Sequence, residues 1–371
     1  MLKKIIKYKR SYLLGLIPIS FLLIFLAKQN SFIAEQIFAL HIYKWISQIV
    51  STITGILPFS LAEIIVVTLP AVILAVLVVF IIQLIKDKGK RRLRLLKGIL
   101  NILCTISVLL FMFVLMAGIN YYRYPFSYYS KLNIRDSSVE ELYALTESLA
   151  IQAGELRAQV PETDQDGVYR LSFSDYELAD KMHDAYRLLS KEYPILGGFY
   201  GSPKPVFFSN AMSHTEITGI FFPFTMEANV NVDIPDYSIA STMGHELAHL
   251  RGFMREDEAN FIAYLVSMES DSVEIKYSGT MLALIISGNA LYSQDPDLYF
   301  EIRDLYTDGL LLDIKANSSY WQQFNDTAIS TVSNKINDTY LKANSQEDGV
   351  KSYGRMVDLL LAKYRKDNDL E

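Results

Sequence analysis

Cysteine is almost absent from this 371-residue chain: the single one, Cys104, lies within an apolar stretch. A disulfide framework is therefore excluded, and so is a closed structural zinc site built on thiolates. Histidine is nearly as scarce, with five in the whole chain. Basic residues thin out after residue 119. Of the 35 basic and 41 acidic residues, 14 basic and 3 acidic lie within residues 1–119, so the remainder carries 21 and 38, a net of −17. That balance, with no basic aromatic cluster, excludes a nucleic-acid partner. There is no internal repeat and no low-complexity tract.

Long apolar runs are present, and all lie near the N-terminus. Residues 11–27, 64–85 and 98–119 are uncharged or nearly so, and about 20 residues suffice to cross a bilayer as a helix. A cleaved signal peptide is the alternative for the first, but no small-residue cleavage site follows it. The N-terminus carries Lys3, Lys4, Lys7, Lys9 and Arg10. The loop after the second run carries Lys86, Lys88, Lys90, Arg91, Arg92, Arg94 and Lys97 against Asp87 alone. Lys28 and Lys44 are the only bases of the first loop. By the positive-inside rule the N-terminus is cytoplasmic and everything beyond about Asn120 is extracytoplasmic. The chain thus divides into a multi-pass membrane anchor, residues 1–119, and an exterior domain, residues 120–371. The latter is large enough to be held by its own core.

Two of the five histidines stand four apart in His245-Glu246-Leu247-Ala248-His249. On a helix this spacing puts both imidazoles on one face, within reach of one metal ion, and Glu246 between them can act on water as general base. Leu247, Ala248 and Leu250 supply the apolar side of that helix, and Gly252 stands where it should end. A buried helix carrying these groups with no metal would strand three polar side chains.

A catalytic zinc takes a third protein ligand. The metzincin pattern HExxHxxGxxH has its glycine in Gly252 but Arg255 at its third-ligand position, and a guanidinium has no lone pair to give. The gluzincins take a glutamate from a following helix. Arg255-Glu256-Asp257-Glu258-Ala259-Asn260-Phe261 can open such a helix, and Glu258 is chosen because its Glu-Ala context resembles the glutamate motif of thermolysin-like enzymes. Acidic residues also favour any helix N-terminus, and Glu256 and Asp257 stand in the same turn as alternatives. In the thermolysin-like pattern an aspartate one turn after the ligand orients a zinc histidine; counted from Glu258 that position is Ile262. The orienting residue is left open.

The exterior domain is expected to be mostly helical, an α+β zincin-like body with a small sheet. Ser138-Val139-Glu140-Glu141 and Ser174-Asp175-Tyr176-Glu177 read as capping boxes opening helices, the first to about Leu156 and the second ending before Pro194. Short strand-like runs follow at 205–208 and 218–222, and 227–232 alternates polar and apolar. Met281 to Ile286 is apolar and too short to span a membrane, which makes it core. In the gluzincin arrangement an edge strand borders the cleft, and by that analogy Ala228 and Asn229 present backbone groups to an extended peptide.

The three N-terminal spans, Gly219-Ile220-Phe221-Phe222-Pro223-Phe224, Glu227-Ala228-Asn229-Val230-Asn231, Gly244 to Gly252 and Arg255 to Phe261 together resemble the bacterial membrane proteins called domain of unknown function 3810. The likeness includes Pro58-Phe59-Ser60 and Ser352-Tyr353-Gly354-Arg355. It implies a zinc peptidase and no particular substrate. The expectation is a membrane-anchored Zn2+ metallopeptidase acting on peptides or proteins outside the cytoplasm, with His245, His249 and Glu258 as ligands and Glu246 as base. Donors to the developing oxyanion are sought among His214, Tyr264, Arg251, Arg255 and Tyr353. The rival expectation is a catalytically silent zinc-binding sensor or scaffold. Proteolysis within the membrane is excluded, since His245 lies more than a hundred residues past the last span.

Overall fold

A computed structural model describes residues 9–344, 346 and 355–370. Three helices are long and apolar enough to cross a membrane: Lys9–Gln29, Leu61–Lys86 and Lys88–Met116. The first is a 3-10 turn running into α1 (Leu16–Gln29), and the chain then passes through a π-helical segment, Ile33–Tyr43, into α2 (Lys44–Gly55). The second span is α3 (Leu61–Lys86), with Ser60 capping its start by accepting from the Glu63 N–H. Its residues from Ile64 to Ile85 are almost all exposed apolar side chains, a surface suited to lipid. The third, α4 (Arg91–Met116), ends in a 3-10 turn, Gly118–Tyr122, where a helix to residue 119 was expected.

Helices also make most of the second body. After α5 (Phe126–Ser130), the two capping boxes are present as expected and open α6 (Val139–Arg157) and α7 (Asp175–Glu192). A three-stranded sheet then forms from β1 (Lys204–Pro205), β2 (Gly219–Phe222) and β3 (Glu227–Val230), with α8 (Ser209–Ser213) between the first two. Strand order is β1-β3-β2, with β1 parallel and β2 antiparallel to β3. The HExxH segment is α9 (Ile239–Leu250), followed by α10 (Glu256–Glu269) and α11 (Val273–Gln294). The chain continues through α12 (Pro296–Arg303), α13 (Asp308–Gln322), α14 (Ala328–Ala343) and α15 (Met356–Asp367).

The core gathers where α9 and α10 cross. Met243, Leu247, Phe253, Phe261, Ile262 and Val266 are all fully buried there, joined by Leu178 and Met182 of α7 and Tyr277 of α11. The loop between the first two spans, residues 30–60, packs on this body, although the sequence reading grouped it with the anchor. Glu35 and Arg123, 0% and 3% exposed, form a two-pronged ion pair at 2.7 and 2.9 Å. The Arg123 guanidinium also lies over the Phe253 ring and donates to the Arg251 carbonyl. Tyr43 donates from its hydroxyl to the His249 carbonyl at 3.1 Å. The loop therefore braces the C-terminal end of α9 directly.

Candidate metal centre

On α9, Thr242, His245, Glu246 and His249 fall at i, i+3, i+4 and i+7, one face of the helix. All four line an open cleft of about 1280 Å³. The opposite face, with Met243 and Leu247, is sealed in the core. That division fixes the rotation of the helix and aims both imidazoles at the cleft.

The end of α9 is shaped by Gly252, whose φ of +89° lies in the left-handed region that side chains rarely adopt. The Gly252 N–H reaches the His249 carbonyl and the Phe253 N–H the Ala248 carbonyl, a Schellman turn. The same reversal brings the Phe253 carbonyl within 2.8 Å of His249 Nδ1. With Nδ1–H donating there, His249 Nε2 is left as a lone-pair donor.

The turn also sets which residue of α10 meets the histidines. Glu256, the first residue of α10, places Oε2 3.1 Å from His245 Nε2 and Oε1 3.7 Å from His249 Nε2. Asn260, one turn on, sets Oδ1 2.7 Å from His245 Nδ1 and so holds that ring with Nε2 turned inward. One ligand atom from each of His245, His249 and Glu256 lies within 4.8 Å of the others. Two imidazoles and a carboxylate, buried, with both Nδ1 atoms already engaged, are a donor set that fits zinc. Burial opposes charge on either partner, yet the Glu256 carboxylate raises His249 to about 9 and the histidines hold Glu256 well below the carboxylate range.

The structure therefore brings Glu256, and not the expected Glu258, to the two histidines. Glu258 lies two residues further round α10 and points away from the histidines. It accepts from the Phe126 N–H at 2.9 Å and pairs with Arg255 at 3.1 Å. Successive helical residues rotate by 100°, so a shift of two places Glu258 on nearly the opposite side from Glu256.

Glu246 is 3% exposed, and its Oε2 is buried with no hydrogen-bond partner among the described residues. Burial raises its pKa, with the two histidines and the Phe221 N–H pulling the other way. Strand β2 runs directly over it. A Cβ on Gly219 would come within 2.5 Å of Glu246 Oε1 and 2.8 Å of Thr242 Cγ2, so only glycine lets strand and carboxylate approach this closely.

A second difference concerns the strand expected at the edge of the sheet. Ala228 and Asn229 sit in β3, the central strand, which pairs with β1 on one side and β2 on the other. The Asn229 side chain is also engaged, accepting from Ser60 and donating to the Ile220 and Glu227 carbonyls. Of the two edge strands, β1 and β2, it is β2 that borders the cleft, and all four of its residues line it.

None of the described residues considered as oxyanion donors faces the histidines. His214 stacks edge-on against Phe324, and Tyr264 lines a separate pocket of about 390 Å³ with Leu360 and Tyr364. Arg251 is held between the Tyr186 and Tyr200 rings and donates to the Leu196 and Leu247 carbonyls. Arg255 donates to the Arg123 carbonyl. Tyr353 lies outside the described residues. Tyr340 of α14 lines the same cleft as the histidines, with its hydroxyl 3.0 Å from that of Tyr121. Burial and the nearby Glu256 charge push it up to about 12, which keeps it protonated as a donor. The 281–286 segment also does more than fill the core: Met281, Ala283 and Leu284 are buried, while Leu282, Ile285 and Ile286 face the cleft.

The sequence profile of the proteins of unknown function DUF3810 matches residues 38–361. The chain belongs to that family. The match starts within the loop between the first two spans and ends in α15, so it takes in most of that loop, two of the three spans and the candidate metal-centre residues together. No curated protein and no solved structure matches the chain.

Proposed function

We propose that this protein is a membrane-anchored zinc metallopeptidase. The observation that carries the reading is the convergence of His245, His249 and Glu256 beside a buried Glu246 with an unpartnered oxygen. His245, His249 and Glu256 hold the ion. Zinc, when bound, makes water acidic at neutral pH and polarises a carbonyl. Glu246 takes the proton of the attacking water on its carboxylate and passes it to the leaving amine. Its buried position favours that exchange, since a carboxylate held away from water gains a proton more readily. Asn260 and the Phe253 carbonyl fix the two imidazoles in the ligating tautomer. Tyr340 donates to the oxygen on which charge develops. The free edge of β2 lines up an extended peptide by backbone hydrogen bonds.

A purely structural or sensory site has no use for a glutamate poised without a partner, and thiolate ligands are lacking. The lysine and arginine clusters of the N-terminus and the 86–97 loop support a cytoplasmic position for those segments and an outside position for the proposed catalytic body. Glu246→Gln tests the reading. The variant should bind zinc as the wild type does and lose peptide hydrolysis; undiminished hydrolysis would sink the assignment of Glu246.

A further inference from the structure

The cleft begins where a membrane-length helix ends. Phe113, in the last turn of α4, forms part of its wall and packs edge-on against Tyr340 with ring centroids 6.1 Å apart. A second tie lies at the start of α3. There the Glu63 carboxylate accepts from the Phe207 and Phe208 N–H groups at 3.1 and 2.7 Å. The two phenylalanine rings so held are 85% and 50% exposed, adjacent aromatics at the foot of a span, where a bilayer interface accepts them. Both attachments set the body down on the membrane surface.

The cleft itself is built for an apolar guest. Ile329, Val332 and Ile336, at i, i+3 and i+7 of α14, face into it yet are 56%, 58% and 64% exposed. A stripe of that kind is normally covered by a partner. Phe222 of β2 and Ile285 of α11 line the same cleft. Among the described residues that line the cleft none is Lys or Arg, so a free terminal carboxylate finds no counter-charge there.

We infer that the substrate is an extended apolar segment of a membrane-anchored polypeptide, cut internally within a few residues of the bilayer surface. The segment adds to the free edge of β2, its side chains lie between β2 and the α14 stripe, and Phe113 marks the side from which it leaves the lipid. The inference rests on the peptidase reading for the cutting step and on the cleft alone for the docking.

The test uses the full-length, zinc-loaded protein in vesicles with single-span reporter substrates. One apolar sequence is set about five or about forty residues from the end of its span, a difference in reach that moves it from the surface to well away from it. The same sequence is also offered as a free peptide. The proximal reporter should be cut at least about tenfold faster than the distal one at equal density in the membrane. Equal rates, or faster cleavage of the distal or free form, overturn the inference and leave the peptidase standing. A benzophenone at Ile336 in the Glu246→Gln background reads docking without turnover. Capture of the proximal reporter with no cleavage of any form by the wild-type protein removes the peptidase reading and keeps the docking assignment. Equal capture of proximal and distal reporters, or no capture, overturns the docking assignment itself.

Discussion

Glu256 and Asn260 stand one helical turn apart on α10 and grip the same imidazole from its two sides. Glu256 Oε2 is 3.1 Å from His245 Nε2, and Asn260 Oδ1 is 2.7 Å from His245 Nδ1. In the proposed metal centre one residue of the pair supplies a ligand and the other orients the ring that completes it. Asn260→Ala should therefore weaken zinc affinity by about 10–100-fold, while Asn260→Asp, which keeps the acceptor, restores it. Competition with a fluorescent chelator measures this. Unchanged affinity in the alanine variant would contradict the orienting role.

Gly219 should be intolerant of any side chain. The added Cβ in Gly219→Ala displaces the Glu246 carboxylate and not the ligands. A displacement near 1 Å costs about 100-fold in turnover, with zinc content unchanged. Near-normal turnover would mean that the contact between β2 and Glu246 is unimportant.

Tyr340→Phe removes the hydroxyl and little else. The expected loss is about 100-fold or more in kcat with zinc retained. If KM rises and kcat holds, Tyr340 serves binding and another group meets the oxyanion.

The ion pair between Glu35 and Arg123 ties the loop of residues 30–60 to the body. Glu35→Ala leaves a buried guanidinium without its partner and should cost about 3–5 kcal/mol of stability, read from thermal melts of the detergent-solubilised protein. By the same argument residues 120–371 alone should not melt cooperatively at the full-length temperature. A fragment as stable as the whole chain would show that the loop is dispensable.

His183 gives a pH dependence with a definite sign. Burial and the nearby Arg251 hold its pKa down to about 4 in the folded chain, against an ordinary value of 6.5. Between those values the unfolded chain binds a proton that the folded chain refuses. Stability from this group is complete above about 6.5 and falls as the pH drops toward 4, by at most about 1.4 kcal/mol per pH unit. Replacing the imidazole in His183→Gln should flatten the decline in melting temperature over that window; an identical decline would contradict it.

Much of this organisation is legible in the sequence because it depends on local pattern. The HExxH spacing, the Gly252 stop and both capping boxes are contained within a turn or two of helix. Which glutamate meets the histidines is not, since Glu256, Asp257 and Glu258 differ by 100° steps around α10 and the approach set by the Schellman turn chooses among them. A signal did exist. Counted from Glu258, the orienting position falls on Ile262, a fully buried core residue, whereas counted from Glu256 it falls on Asn260. The place of β3 was hidden for a similar reason. An alternating strand reads the same at the edge or the centre of a sheet, and its second neighbour, β1, is only two residues long. The attachment of residues 30–60 was equally illegible, because it rests on pairs such as Glu35 with Arg123, separated by 88 positions.

The central claim is that Glu256, with His245 and His249, makes the metal centre. Zinc content of the purified full-length protein tests it most directly, with wild type beside Glu256→Gln and Glu258→Gln. The account predicts about one zinc per chain in the wild type, loss or strong weakening in Glu256→Gln, and retention in Glu258→Gln, where the amide oxygen still accepts from Phe126. Zinc kept in the first variant and lost in the second, or no zinc in a folded wild type, would contradict it.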